Sequence, residues 1–153
     1  MAYYAFRIQD SHAKELLDEL RIGRLHQGWG YDSKLNLRKK QTARQDKGAR
    51  KNYPIKDRVK ENDFLLVINM PDKEHVTLAQ ATKDFSEGYM YDEQSLERVH
   101  DLGHIFPAKF LAEIPKSALP VKVKKSFFCR RRFFGLQKHA TELNELIVKN
   151  YKF

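Results

Sequence analysis

Gly28-Trp29-Gly30-Tyr31 carries the only tryptophan of the chain between two glycines, and a segment dense in lysine and arginine follows at once. An indole on a glycine-flanked turn beside clustered cations suits one chemistry above others: stacking on a base while the cations take the neighbouring phosphates. The plain alternative is a core tryptophan whose indole N–H meets a carbonyl. The remaining chemistry-bearing residues are less organised. His104 falls within a strand-like stretch and reads as structural, and no spacing makes it a catalytic pair with Asp84 or Glu113. An enzyme acting as a nuclease or on a small nucleotide would have His104, Asp84 or Glu113 in its cleft. Cys129 precedes three arginines but has no base beside it in the sequence, so it reads as a packed thiol. There is no phosphate-cradling glycine loop, dinucleotide fingerprint or nucleophile elbow. Six histidines and one cysteine lack zinc-like spacing, so neither a metal nor a cofactor is expected.

The charge is segregated. Of a formal net charge of +9 over 153 residues, the stretch from Lys34 to Lys60 holds eleven Lys or Arg against Asp46 and Asp57 alone. Lys116 to Lys138 holds eight more and no acid. Basicity confined to two stretches implies a binding face for a polyanion, nucleic acid before an anionic membrane. In the first stretch the candidate phosphate contacts are Lys34, Arg38, Lys39, Lys40 and Arg44; in the second they are Arg130, Arg131 and Arg132, bracketed by Phe127, Phe128, Phe133 and Phe134. The bland reading of each run is a solvated surface. No apolar run reaches the roughly 18 residues of a membrane span, and the amino-terminal residues meet Arg7 and Asp10 before any signal-like apolar core forms. One cysteine forms no internal disulfide, which makes a reducing cytoplasm the expected compartment.

Elements must position these groups. Ala2 to Ile8 reads as a strand with aromatics on both faces. Asp10 and Ser11 offer cap oxygens to a helix whose apolar positions Ala13, Leu16, Leu17 and Leu20 recur at helical spacing, with Gly23 just past its end. The basic stretch 34–60 reads as a long loop with some helical turns, partly mobile when free. Phe64 to Asn69 is continuously apolar, hence a strand buried on both faces, and pairs as an antiparallel hairpin with the alternating Val76 to Thr82. Asp84 to Tyr91 is aromatic-rich, and the polar stretch through Glu93, Glu97 and Asp101 reads as a loop. Gly103 to Ile114 is a long strand in which Pro107 predicts an edge position or a bulge. Leu136, Ala140, Leu143, Leu146 and Ile147 stripe a closing helix over about 137–150, with a tail that could lead into a further domain. At this length one α+β domain over 1–153 is expected.

The order of these pieces resembles the PUA-like superfamily, and within it the EVE and YTH domains and the amino-terminal modified-base-binding modules of restriction proteins. Tyr4-Ala5-Phe6-Arg7-Ile8-Gln9-Asp10-Ser11 is similar to the opening strand and polar turn. Gly28-Trp29-Gly30-Tyr31 before Lys34-Leu35-Asn36 resembles the stretch of YTH domains that carries a cage tryptophan. Val59 to Val67, Val76 to Phe85 and Tyr89 to Asp92 are similar to the hairpin and tyrosine-aspartate run of the restriction modules. His104 to Pro115 resembles their final barrel strand. Asn62 departs from the pattern, standing where many such sequences have glycine, and a single tryptophan stands where cages use two or three aromatics. The resemblance implies a small curved β-barrel flanked by helices that takes a methylated base, in DNA before RNA, into an aromatic pocket by flipping it. It implies Trp29 as the stacking wall and Gln9, Asp10 and Ser11 at the base edge, with Gly30 on the turn and a second wall from Tyr31, Phe85, Tyr89 or Tyr91. A nuclease or NTPase domain, fused or separate, would be its companion, and the domain itself a reader with no catalytic group.

Overall fold

The computed structural model describes residues 1–93 and 101–151. Strand β1 (Tyr3–Arg7) turns Tyr4 and Phe6 into one apolar cluster and Tyr3 and Ala5 into another, as period-two alternation requires. The hairpin of β3 (Phe64–Ile68) and β4 (His75–Ala81) repeats the division. Leu65, Val67, Ala79 and Ala81 join the first cluster, whereas Phe64, Leu66, Ile68, Val76 and Leu78 join the second. The continuous apolarity of Phe64 to Ile68 therefore does report a strand buried on both faces.

With β2 (Arg24–Gln27), β5 (Met90–Tyr91), β6 (His104–Pro115) and β7 (Phe133–Gly135), these strands form one seven-stranded sheet in the order β2-β6-β4-β3-β1-β7, β5 also pairing with β6. The pairings are antiparallel except for β1 with β3. The sheet curls because β6 changes partners along its length: His104 to Pro107 pair with β2, and Ala108 to Pro115 pair with β4. Pro107 sits at that change of partner, where its missing N–H costs little. The bulge itself lies further on, where Leu78 and Ala79 of β4 face Ala112 and Phe110, so Leu111 is the extra residue. The result is a curled half-barrel in a mixed α+β fold.

Helix α1 (Ala13–Arg21) buries Ala13, Leu16, Leu17 and Leu20 against the first cluster and ends before Gly23, whose φ of +94° is the left-handed conformation that suits glycine. Asp10 and Ser11 do not cap it. They belong to a 3-10 turn (Asp10–His12) that leads into the helix, and no side-chain cap bond forms at His12. The basic stretch departs further from expectation. It does hold the helical turns expected, as 3-10 turns at Ser33–Leu35 and Ala49–Asn52 and helices α2 (Lys40–Ala43) and α3 (Tyr53–Arg58), but it is fastened to the core rather than loose. Leu35, Leu37, Ala43, Ala49, Tyr53, Ile55 and Val59 are buried, so a sparse set of apolar residues without one regular period was enough to fasten it down. Short α4 (Phe85–Gly88) closes the same side. On the other face α5 (Val121–Ser126) and α6 (Ala140–Asn150) bury Val123, Leu143 and Ile147 in the second cluster. Of the polar stretch expected after Tyr91, residues 94–100, Glu97 among them, lie outside the described residues. Among the described residues no helix is long and apolar enough to cross a membrane.

Candidate functional site

Where β1 ends, the chain opens a cavity of about 680 Å³. Its wall gathers five separate segments: Arg7, Ile8 and Gln9; Gln27, Gly28 and Trp29; Lys51, Pro54 and Arg58; Asp101 and Leu102; and Arg130 to Phe133. Six of these residues are cationic and Asp101 is the one acid. Lys51 and Arg58 come from the first basic stretch and Arg130, Arg131 and Arg132 from the second, so the fold brings the two stretches to one opening.

Trp29 is partly buried and occupies a left-handed backbone conformation, φ 62°, which a bulky residue holds only when its surroundings fix it. Its neighbours supply the fixing. Gly30 donates to the Asp101 carbonyl at 2.7 Å and accepts from Gly103 N–H at 2.9 Å; a Cβ on Gly30 would come within 2.8 Å of Gly103 N. Asn52 donates from Nδ2 to the Gly28 carbonyl at 3.0 Å. His104 Nε2 lies 2.7 Å from the Trp29 carbonyl, and a carbonyl only accepts, so Nε2 carries the proton. Nδ1 must then accept from the Tyr89 hydroxyl, 2.7 Å away, and that hydroxyl accepts in turn from Leu37 N–H. Burial pushes the His104 pKa down to about 4, which keeps the imidazole neutral in this relay.

Two groups cover the indole. Gly48 approaches so closely that a Cβ there would stand 2.0 Å from Trp29 Cδ1. The Arg132 guanidinium lies over the ring, 3.2 Å from its centroid, with Nη1 3.4 Å from Gln27 Oε1. Burial lowers the Arg132 pKa to about 10, which leaves it cationic at neutral pH. Gln27 is fully engaged, since Oε1 also accepts from Gly28 N–H and Nε2 donates to the Arg7 carbonyl. Gln9, exposed on the wall, has an amide without a protein partner among the described residues. It can offer both a donor and an acceptor.

Of the residues expected at a base, the cavity receives Gln9 and Trp29. Ser11 is exposed outside it, and Asp10 is paired with Lys73 at 3.4 Å. Gly30 holds the turn, and Tyr31 faces solvent. None of the four aromatics expected as a second wall, Tyr31 included, lines the cavity. Phe85 stacks on Phe106 in the core, Tyr89 serves His104, and the Tyr91 hydroxyl donates to the Asp32 carbonyl with its pKa pushed up to about 12 by burial. Phe85 belongs to α4, Tyr91 to β5 and Tyr89 lies between them, and both elements pack against β6. Among the expected phosphate contacts, Arg130, Arg131 and Arg132 line the cavity, Arg132 through the indole. Lys34, Lys39 and Lys40 do not line it. Arg38 donates to the carbonyls of Ser86, Glu87 and Tyr89, and Arg44 lies 4.8 Å from the Tyr53 ring centroid.

Sequence reasoning missed Arg7, Gln27, Gly48, Lys51 and Arg58. Only their membership of the basic stretch could have marked Gly48, Lys51 and Arg58; the other two are ordinary strand residues until the fold is known. His104, Asp84 and Glu113 are not brought together. Asp84 accepts from Glu61 N–H, Glu113 pairs with Arg21, and none of the three lines the cavity. Cys129 is exposed rather than packed. Among the described residues no group of three His, Cys, Asp or Glu is placed to hold a metal.

These features define a mixed α+β protein with a curled half-barrel sheet and a cation-ringed cavity that has one tryptophan on its wall. Compared with known protein families and with curated protein sequences, the chain matches none.

Proposed function

We propose that the chain is a reader of nucleic acid, without catalysis of its own, which takes a single flipped or unpaired base into the cavity beside Trp29. The observation that carries this reading is the convergence of Arg7, Lys51, Arg58, Arg130 and Arg131 around a cavity walled by the indole. Its volume falls within the roughly 300–1,000 Å³ of small-ligand sites. A base is planar and apolar on its faces, its edge needs a donor and an acceptor, and its flanking phosphates need cations. Trp29, the Gln9 amide and the basic rim supply these in turn. The curled sheet with helices on both faces supports a PUA-like domain of the EVE and YTH type. A methylated base in DNA, as part of a restriction or defence system, is the target we favour on that likeness, with RNA as the second.

Arg132 occupies the surface on which the base would stack. The entering base takes the place of the guanidinium on the indole, and the released cation meets the adjacent phosphate, so one attraction is exchanged for another. Because Trp29 is the only tryptophan, its emission reports this exchange directly. The deciding experiment titrates wild-type protein and Trp29→Ala with short oligonucleotides, methylated and plain, single- and double-stranded, at fixed ionic strength. Stacking supplies roughly 1–3 kcal/mol per base. Trp29→Ala should therefore abolish discrimination for the modified base while leaving weak, salt-sensitive binding. Equal loss on modified and plain strands would count against a base pocket.

A further inference from the structure

One aromatic side chain near the cavity has no place in the core. Phe128 is 86% exposed, although its neighbour Phe127 packs against the second apolar cluster. It sits on the turn that ends α5, where the N–H groups of Phe127, Phe128 and Cys129 bond back to Lys124, Lys125 and Ser126. The turn is held firmly. Arg7 Nη2 donates to the carbonyls of Phe127 at 2.6 Å and Cys129 at 2.8 Å, and the Arg7 backbone N–H donates to Arg132 at 2.7 Å. A guanidinium placed on the free carbonyls of a helix end satisfies them and complements the dipole. Arg7 is also part of the cavity wall, so a single side chain fixes both the rim and the projecting ring.

We propose that Phe128 is a wedge that enters the base stack of a duplex, beside or in place of the base held in the cavity. This deepens the reader proposed above and rests on it. A base leaves a duplex at the cost of its stacking and pairing, and an apolar side chain inserted into the gap recovers part of that stacking. The ring is set for this use. Along the chain it stands between Lys124 and Lys125 on one side and Arg130 and Arg131 on the other, so the turn that carries it offers cations to the phosphates flanking a gap. Phe128 buries little of its apolar surface within the chain, and the cations around it in sequence would repel a second copy of the same basic face. The wedge selects double-stranded over single-stranded targets, because only a stacked duplex has a gap to fill.

The test compares wild-type protein with Phe128→Ala on one methylated strand, free and annealed to its complement, with 2-aminopurine next to the methylated base as a reporter of unstacking. Exposure of the ring means that the substitution leaves the fold intact, which circular dichroism checks. The expected result is about tenfold weaker binding to the duplex, in the lower part of what stacking supplies, together with a lost 2-aminopurine signal and unchanged binding to the single strand. Phe128→Leu, still apolar, should restore part of the duplex affinity. Equal effects on both targets, or none on either, overturn the wedge while leaving the reader standing. A wild-type protein that binds neither target brings down the reader and the wedge together. Binding to vesicles with anionic headgroups that falls with Phe128→Ala, without binding to the duplex, overturns the wedge in favour of a membrane.

Discussion

Two of the neighbours that hold Trp29 in position, Gly48 and His104, can each be tested alone. Gly48 has an ordinary φ of −75°, so alanine there is unstrained in its backbone and fails only through its methyl group, 2.0 Å from the indole. Gly48→Ala should shift the emission of the single tryptophan and destabilise the fold by about 1–3 kcal/mol, the usual range for overpacking. An unchanged spectrum and midpoint in chemical denaturation would show that the indole moves freely. His104 makes a prediction with a definite sign. In the unfolded chain an imidazole titrates near 6.5, while in the folded protein burial holds it neutral down to about 4. Between those values the unfolded chain binds a proton that the folded one refuses. Stability therefore falls as pH drops from 6.5 towards 4, by on the order of 1 kcal/mol per pH unit. His104→Gln, which retains a donor and an acceptor, should remove that share of the acid sensitivity. Denaturation curves at pH 7 and pH 5 for both proteins measure it.

The turn before β3 requires a residue that accepts a left-handed backbone. Asn62 has a φ of +73°, the left-handed region that asparagine tolerates and glycine prefers. Asn62→Gly should therefore be neutral or slightly stabilising, whereas Asn62→Ala should cost about 1–2 kcal/mol; thermal melts of the two variants separate them. Asp63 explains the aspartate that follows: its carboxylate accepts from Ala2 N–H and Lys60 N–H, both at 2.8 Å, and so joins the turn to the start of β1. The hairpin, the helix after β1 and the closing helix were legible because each carries a strong local period. Helices α2, α3 and α5 were not, because four to six residues hold too few repeats to show one. Their order comes from burial of isolated residues such as Ile55 and Val123.

Over the whole molecule the charge divides into groups with different duties. Lys51 and Arg131, one from each basic stretch, meet at the cavity, while Lys39 lies elsewhere and Arg38 is engaged with carbonyls of the chain itself. Under the proposed function, Lys51→Ala or Arg131→Ala should weaken binding to all sequences alike and lower the slope of log affinity against log salt by about 1 each. Lys39→Ala should change that slope less. Binding isotherms at several salt concentrations check all three, and identical slopes for the three variants would mean that charge acts through the net value rather than through the cavity.

By itself the sequence determined the mixed α+β class, the doubly buried β3, the hairpin and the two concentrations of positive charge, because apolar period and charge are local properties of the chain. It singled out Trp29 through its uniqueness and Gln9 through its turn. Tertiary structure alone decided which cations share an opening, since Arg7 and Arg131 are far apart in sequence and meet only because β7 pairs with β1. It also decided that Tyr89 and Tyr91 serve the interior rather than the cavity. A side chain's neighbours across a curled sheet follow from strand order, and no local pattern in this chain encodes that order.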